Sequence, residues 1–176
     1  QETAQSDATN MYPAFLVLII ILSYILLRSV SASLLSLIVI FLSILPSMGS
    51  AGWLEYQVLP PLIIAPIIIL TIALAHAIHI LSIALSNMNE GMQKDKAIIE
   101  SMKINFMPVF LTSFTTAVGV AGVNFGNIPA FSQMANAVVF GAAYSFVLSV
   151  TVLPALLMMM PIKSEGKNNI ILPALY

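Results

Sequence analysis

The run from Pro60 to Ser82, PPLIIAPIIILTIALAHAIHILS, is apolar and long enough to cross a bilayer, and it carries both histidines of the chain. A span needs about 20 predominantly apolar residues at 1.5 Å rise each to cross ~30 Å of hydrocarbon. No water reaches backbone amides at that depth, so a single continuous segment must satisfy them as a helix. A titratable side chain inside such a helix is costly and marks a functional position by default. The rest of the chain either builds a bundle around this segment or fixes its direction.

Composition agrees with a membrane bundle. The chain is 60% apolar and 7% charged, with a mean hydropathy of +1.03, whereas soluble domains carry about 25% charged residues. The net charge of −1 gives no basis for nucleic-acid binding. With no Cys there is no disulfide framework, no thiolate nucleophile and no Cys-based metal site. Ten Met residues suit either lipid-facing filler or a bundle that repacks around apolar ligands.

Five segments qualify as spans, at about 12–27, 33–54, 59–86, 107–124 and 131–160. Pro46, Gly49 and Gly52 predict a kinked or frayed end to the second, and Pro66 a kink in the third. The fifth is too long for a perpendicular span, so it tilts or leaves the membrane near Pro154 or Pro161. Residues 1–11 carry no basic n-region and do not form a signal peptide; they read as the end of an extracytoplasmic segment of a longer protein. Residues 161–176 read as a cytoplasmic linker. The fold class is an all-α integral membrane bundle of five transmembrane helices. One short amphipathic cytoplasmic helix is expected between the third and fourth, because Ile98, Met102 and Phe106 recur every four residues.

The six basic residues test the span count. Arg28 follows the first span, Lys94, Lys96 and Lys103 separate the third from the fourth, and Lys163 and Lys167 follow the fifth. Five alternating spans put all of them on one side, opposite Glu2, Asp7 and Glu55. The positive-inside rule makes that side cytoplasmic. The N-terminus then lies outside and the C-terminus inside.

His76 and His79 project from neighbouring faces of one helical turn. Thr71, His79, Ser82 and Ser86 form a polar stripe along the same helix. The histidines read as hydrogen-bonding glue between helices, as a proton relay through groups that titrate near neutral pH, or as a contact for a lipid head group. A metal site would need more ligands than two His with no Cys and no intramembrane carboxylate. In the fourth span Thr112, Thr115, Thr116, Gly119 and Gly122 recur at helical spacing, and in the fifth Asn136, Gly141, Ser145 and Ser149 form a similar face. Small and hydroxyl residues let membrane helices approach closely and bond across the contact. Matching stripes on three adjacent spans predict a buried polar seam. No nucleophile elbow, phosphate loop, nucleotide fingerprint or carboxylate pair is present, and histidine-box iron chemistry would need many more histidines. An enzyme is therefore not expected, nor any cofactor.

Several strings occur in a fixed order: LLRSVSASLLSL, MGSAG, ALAHAIHILS, EGMQKDKAIIESM, PVFLTSFTTAVG and VTVLPALL. In that order they resemble the membrane domain of resistance-nodulation-division (RND) superfamily permeases, most of all the branch of hydrophobe exporters related to sterol-sensing-domain proteins. The resemblance covers about residues 12–160. It implies the second to sixth helices of a six-helix half, preceded by a large extracytoplasmic loop and matched by a second half. It implies proton-driven export of lipids, hopanoids or other amphiphiles across the bacterial inner membrane, usually by an oligomer. The partners implied are membrane lipids, an amphiphilic substrate, the second half, the extracytoplasmic domains and further copies of the chain. His79 matches the family's histidine, and Thr112, Thr115 and Thr116 its Thr cluster. His76 stands where many members carry Asp, in the string A-D-A-I-H. The acid's role then passes to His76, passes to the other half, or is absent. The alternative implied is a sterol-sensing-like regulatory domain that binds lipid without pumping; a purely structural fragment is a third reading.

Overall fold

A computed structural model describes residues 2–126 and 128–160, with side chains from residue 13 onward. It contains five α-helices: α1 Glu2–Leu27, α2 Val30–Trp53, α3 Pro60–Asn89, α4 Lys94–Ala121 and α5 Pro129–Met159. A 3₁₀ turn, Gly122–Phe125, continues α4. Four of these helices, α2 to α5, are long and apolar enough to cross a membrane, and α1 contains a shorter apolar part, Pro13–Leu27. The linker with Lys163 and Lys167 lies outside the described residues.

Local chemistry sets the helix ends. Ser29 caps α2 by accepting from the Ala32 amide at 3.4 Å. Pro60 and Pro129 open α3 and α5, where the missing N–H costs nothing and the fixed φ suits the first turn. Gly91, at φ +94°, turns the chain after α3 in the left-handed region that glycine enters freely. The helices run through their internal prolines: α2 continues past Pro46, Gly49 and Gly52 to Trp53 instead of fraying. In an apolar setting every freed carbonyl favours continued intrahelical pairing, which outweighs the lost bond at a single proline.

α5 is the central helix, packed against α2, α3 and α4, while α1 packs on α2 and α3. The short connections alternate the helices, so Arg28, Lys94 and Lys96 share one end of the bundle. At that end Lys94 Nζ donates to the carbonyls of Met158 at 2.9 Å and Met160 at 2.5 Å, placing a cation at the C-terminus of α5. Leu35, Val39, Leu81, Ile98, Leu153 and Leu157 form the core of the same half.

The amphipathic stretch differs from the expectation. It is the first part of α4 rather than a separate helix lying on the membrane surface. The buried face is Ala97, Ile98, Ser101, Asn105, Val109 and Ser113, recurring mostly every fourth residue. Phe106 points away from that face, edge-on to Phe146 with ring centres 5.8 Å apart. Small side chains at 97, 101 and 105 let α4 approach α3 from its first turns, so the helix has no reason to break before the apolar run. Ser101 Oγ donates to the Ile80 carbonyl at 2.6 Å, and Asn105 Nδ2 to the Ser101 carbonyl at 2.9 Å.

Candidate functional site

His76 lies near the middle of α3, and only 3% of it is exposed. Its ring joins three helices. Nδ1 is 2.9 Å from Ser145 Oγ of α5. Nε2 is 3.2 Å from Ser113 Oγ and 3.5 Å from Thr112 Oγ1 of α4. Thr112 also donates back to the carbonyls of Pro108 and Val109, each at 3.0 Å, so Ser113 is the closer partner of the ring.

One turn on, His79 is exposed. It lines an open groove of about 240 Å³ together with Thr71, Ile72, Ala75, His76, Thr112 and Thr116. His76 therefore lines a groove between α3 and α4, and bonds α4 on its Nε2 side and α5 on its Nδ1 side. Among the described residues no three His, Cys, Asp or Glu side chains cluster as metal ligands.

The remaining expected residues separate. Thr115 bonds its own helix, at Leu111 O (2.7 Å) and Thr112 O (3.2 Å), and does not reach the histidines. Ser145, expected as a packing residue, is the direct partner of His76. Gly141 is a true packing position: an added Cβ would come within 2.4 Å of Ile69 Cγ1. Gly119 and Gly122 are not packed within this chain, since an added Cβ at either would meet nothing within 4 Å. Both are exposed, Gly119 on the outer side of α4 about half a turn from its buried stripe and Gly122 at the start of the 3₁₀ turn. Asn136 lies at the other end of the bundle, accepting from Asn124 Nδ2 at 2.9 Å and placed 3.3 Å from Tyr56 Oη. It ties the α2–α3 connection and the 3₁₀ turn to α5.

Ser113, the closer α4 partner of His76, lies between the threonines that the sequence pattern points to. The signal was present in the four-residue ladder Ala97, Ser101, Asn105, Val109, Ser113, whose members are all small, polar or β-branched and all buried.

The hydrogen-bond pattern suits either tautomer of the ring. A neutral imidazole has one donor and one acceptor nitrogen, and a serine hydroxyl can serve either, so both tautomers are satisfied. An imidazolium donates from both nitrogens, and the two serine oxygens can turn to accept. The change turns the hydroxyls that tie α3 to α4 and α5 at the ring.

A family model described as MMPL family matches residues 1–165, most of the chain. The chain belongs to the MMPL family. The MMPL domain is a permease domain of the RND superfamily, and membership of the MMPL family points to an RND-type transporter of hydrophobic substrates. No curated protein and no solved structure matches the chain. The MMPL assignment gives the apolar helices a lipid environment and places the domain in a larger full-length protein. Within this domain, the histidine string and the LTSFTTAVG string that carried the resemblance meet at one junction, α3 with α4.

Proposed function

We propose that this MMPL domain is part of a proton-driven exporter of hydrophobic or amphiphilic, lipid-like molecules across the bacterial inner membrane. It acts as a transporter and not as an enzyme, with its N-terminus outside and its C-terminus in the cytoplasm. His76 holds the proton, doing what an acid does at this position in many relatives. The supporting observation is its burial where side chains of α3, α4 and α5 meet through a ring that can change its hydrogen-bonding pattern. A charge gained there changes the preferred contacts of three helices at once, and so biases their packing.

The groove beside His76 leaves His79, Thr71 and Thr116 open at membrane depth. Polar groups at that depth face protein or water, not lipid tails. The second half of the full-length protein covers this face, and the whole assembles as a homo-oligomer.

The test uses the full-length protein in vesicles with a fluorescent phospholipid as probe and an imposed proton gradient. The reading predicts that directional lipid movement requires the gradient and stops when an ionophore collapses it. Lipid binding with no gradient-dependent movement would overturn it and support the sterol-sensing-like alternative.

A further inference from the structure

α4 and the 3₁₀ turn that continues it run from Lys94 to Phe125, 32 residues in all. At 1.5 Å per residue that is about 48 Å, against ~30 Å of hydrocarbon. The charged residues of this helix all lie between 94 and 103. The excess of about 18 Å therefore stands at that end, at head-group depth, and Phe106 marks the entry into the hydrocarbon.

Lys96, Lys103, Phe110 and Phe114 fall within about 40° of one another around the helix, and all four are exposed. Two cations thus stand above an apolar wall. Ring contacts across two helices fix that wall. Phe110 stacks on Phe114 with centres 5.9 Å apart, and Phe146 of α5 meets Phe106 and Phe110 edge-on at 5.8 and 5.6 Å. This flank of α4 is nearly half a turn from Thr112 and Thr116, which line the His76 groove.

The charge on this flank is unbalanced. Lys103 Nζ lies 3.3 Å from Glu100, an exposed pair of the kind that contributes little. No ion pair or hydrogen bond reaches Lys96 among the described residues. Lys94 turns instead to the carbonyl end of α5, and Asp95, off this face, complements the amino end of α4. Lys96, Glu100 and Lys103 together leave a single positive charge on the face.

We propose that this flank of α4, closed by Phe146, binds one anionic phospholipid. Lys96 and Lys103 take the phosphate, and an acyl chain lies along Phe106, Phe110 and Phe114. The two lysines are about 10 Å apart along the axis, within reach of one phosphate for two extended side chains. Such side chains bury their methylene stems and keep the ammonium among the head groups. Charge complementarity selects the lipid: a head group with one negative charge neutralises the face, and a zwitterionic one does not. The site shares no residue with the groove, so it stands whether or not His76 carries a proton.

The experiment is photo-crosslinking of the full-length protein in phosphatidylcholine vesicles. The probe is a trace of phosphatidylglycerol with a diazirine in its acyl chain, and labelled peptides are read by mass spectrometry. Label is expected on residues 106–114 and on Phe146. Unlabelled phosphatidylglycerol should compete it away, and phosphatidylethanolamine should not. A lysine at an anionic head group is worth about fivefold in binding, so Lys96→Gln combined with Lys103→Gln should lower the labelling at least fivefold. Lys96→Arg with Lys103→Arg keeps both charges and should retain it. Equal competition by phosphatidylethanolamine marks an ordinary boundary lipid and overturns the proposal. Labelling that the double Gln variant leaves unchanged overturns it too, and so does a flank that takes no label because protein covers it.

Discussion

Replacing Gly141 with Ala tests the packing that brings α5 to His76. The new Cβ would lie 2.4 Å from Ile69 Cγ1, 2.6 Å from Cδ1 and 3.0 Å from Cγ2. These atoms belong to both branches of the isoleucine, so rotating χ1 exchanges one clash for another. Ile69 is 0% exposed, which leaves it no open space to enter. Overpacking of this kind costs about 1–3 kcal/mol. Ala is preferred over Gly in a helix by about 1 kcal/mol, which offsets part of it. The net expectation is a loss of about 1 kcal/mol, seen as a drop of a few degrees in the unfolding temperature of the full-length protein in detergent. Because Ser145 is one turn from Gly141, the same displacement lengthens the 2.9 Å contact to His76. Ile69→Ala makes room for the methyl, so the double variant should be more stable than the sum of the single effects predicts, by about 1 kcal/mol. Gly119→Ala, at a position with nothing within 4 Å, is the control and should not destabilise. A Gly141→Ala protein as stable as wild type, or strict additivity with Ile69→Ala, would refute the close-packing argument.

Lys94→Ala should fray the end of α5, because two carbonyls lose their cation. Amide exchange near Leu157–Met159 should speed up by about two- to fivefold, matching the ~0.3–1 kcal/mol of a charge at a helix terminus. Asn136→Ala removes the acceptor of Asn124 and the neighbour of Tyr56, and should cost about 1 kcal/mol of thermal stability; a neutral result would show that water replaces the bonds. The chain has no Cys, so Arg28→Cys and Lys94→Cys can each be labelled cleanly in a background freed of other thiols. Both should react with a membrane-impermeant thiol reagent from one side, and labelling from opposite sides would break the proposed topology.

Much of this architecture is legible before any coordinates, because hydrocarbon imposes few choices. Apolar run length fixes the helices, and the placement of Arg28, Lys94 and Lys96 fixes their alternation. His76 stands out because imidazole is expensive at that depth. What the sequence hides is rotational setting. Thr112, Ser113, Thr115 and Thr116 are one tight polar string, and a small shift in the helix phase decides which of them turns to α3. The ladder from Ala97 to Ser113 carried that phase, but it begins in a stretch whose charges resemble a surface helix. Gly119, Gly122 and Gly141 look alike as letters, and only the position of Ile69 distinguishes the packed one from the other two. Ser145 and Ser149 are likewise equivalent in the string YSFVLSV, and are told apart only by which of them His76 reaches.

His76 is proposed as the carrier of the proton, and transport by a His76→Gln form of the full-length protein tests that role most directly. The variant keeps a polar side chain for Ser113 and Ser145 but cannot hold a positive charge near neutral pH. It should insert and assemble as the wild type does, while gradient-driven movement of a fluorescent phospholipid falls to the level of empty vesicles. Movement at the wild-type rate, still dependent on the gradient, would contradict the account.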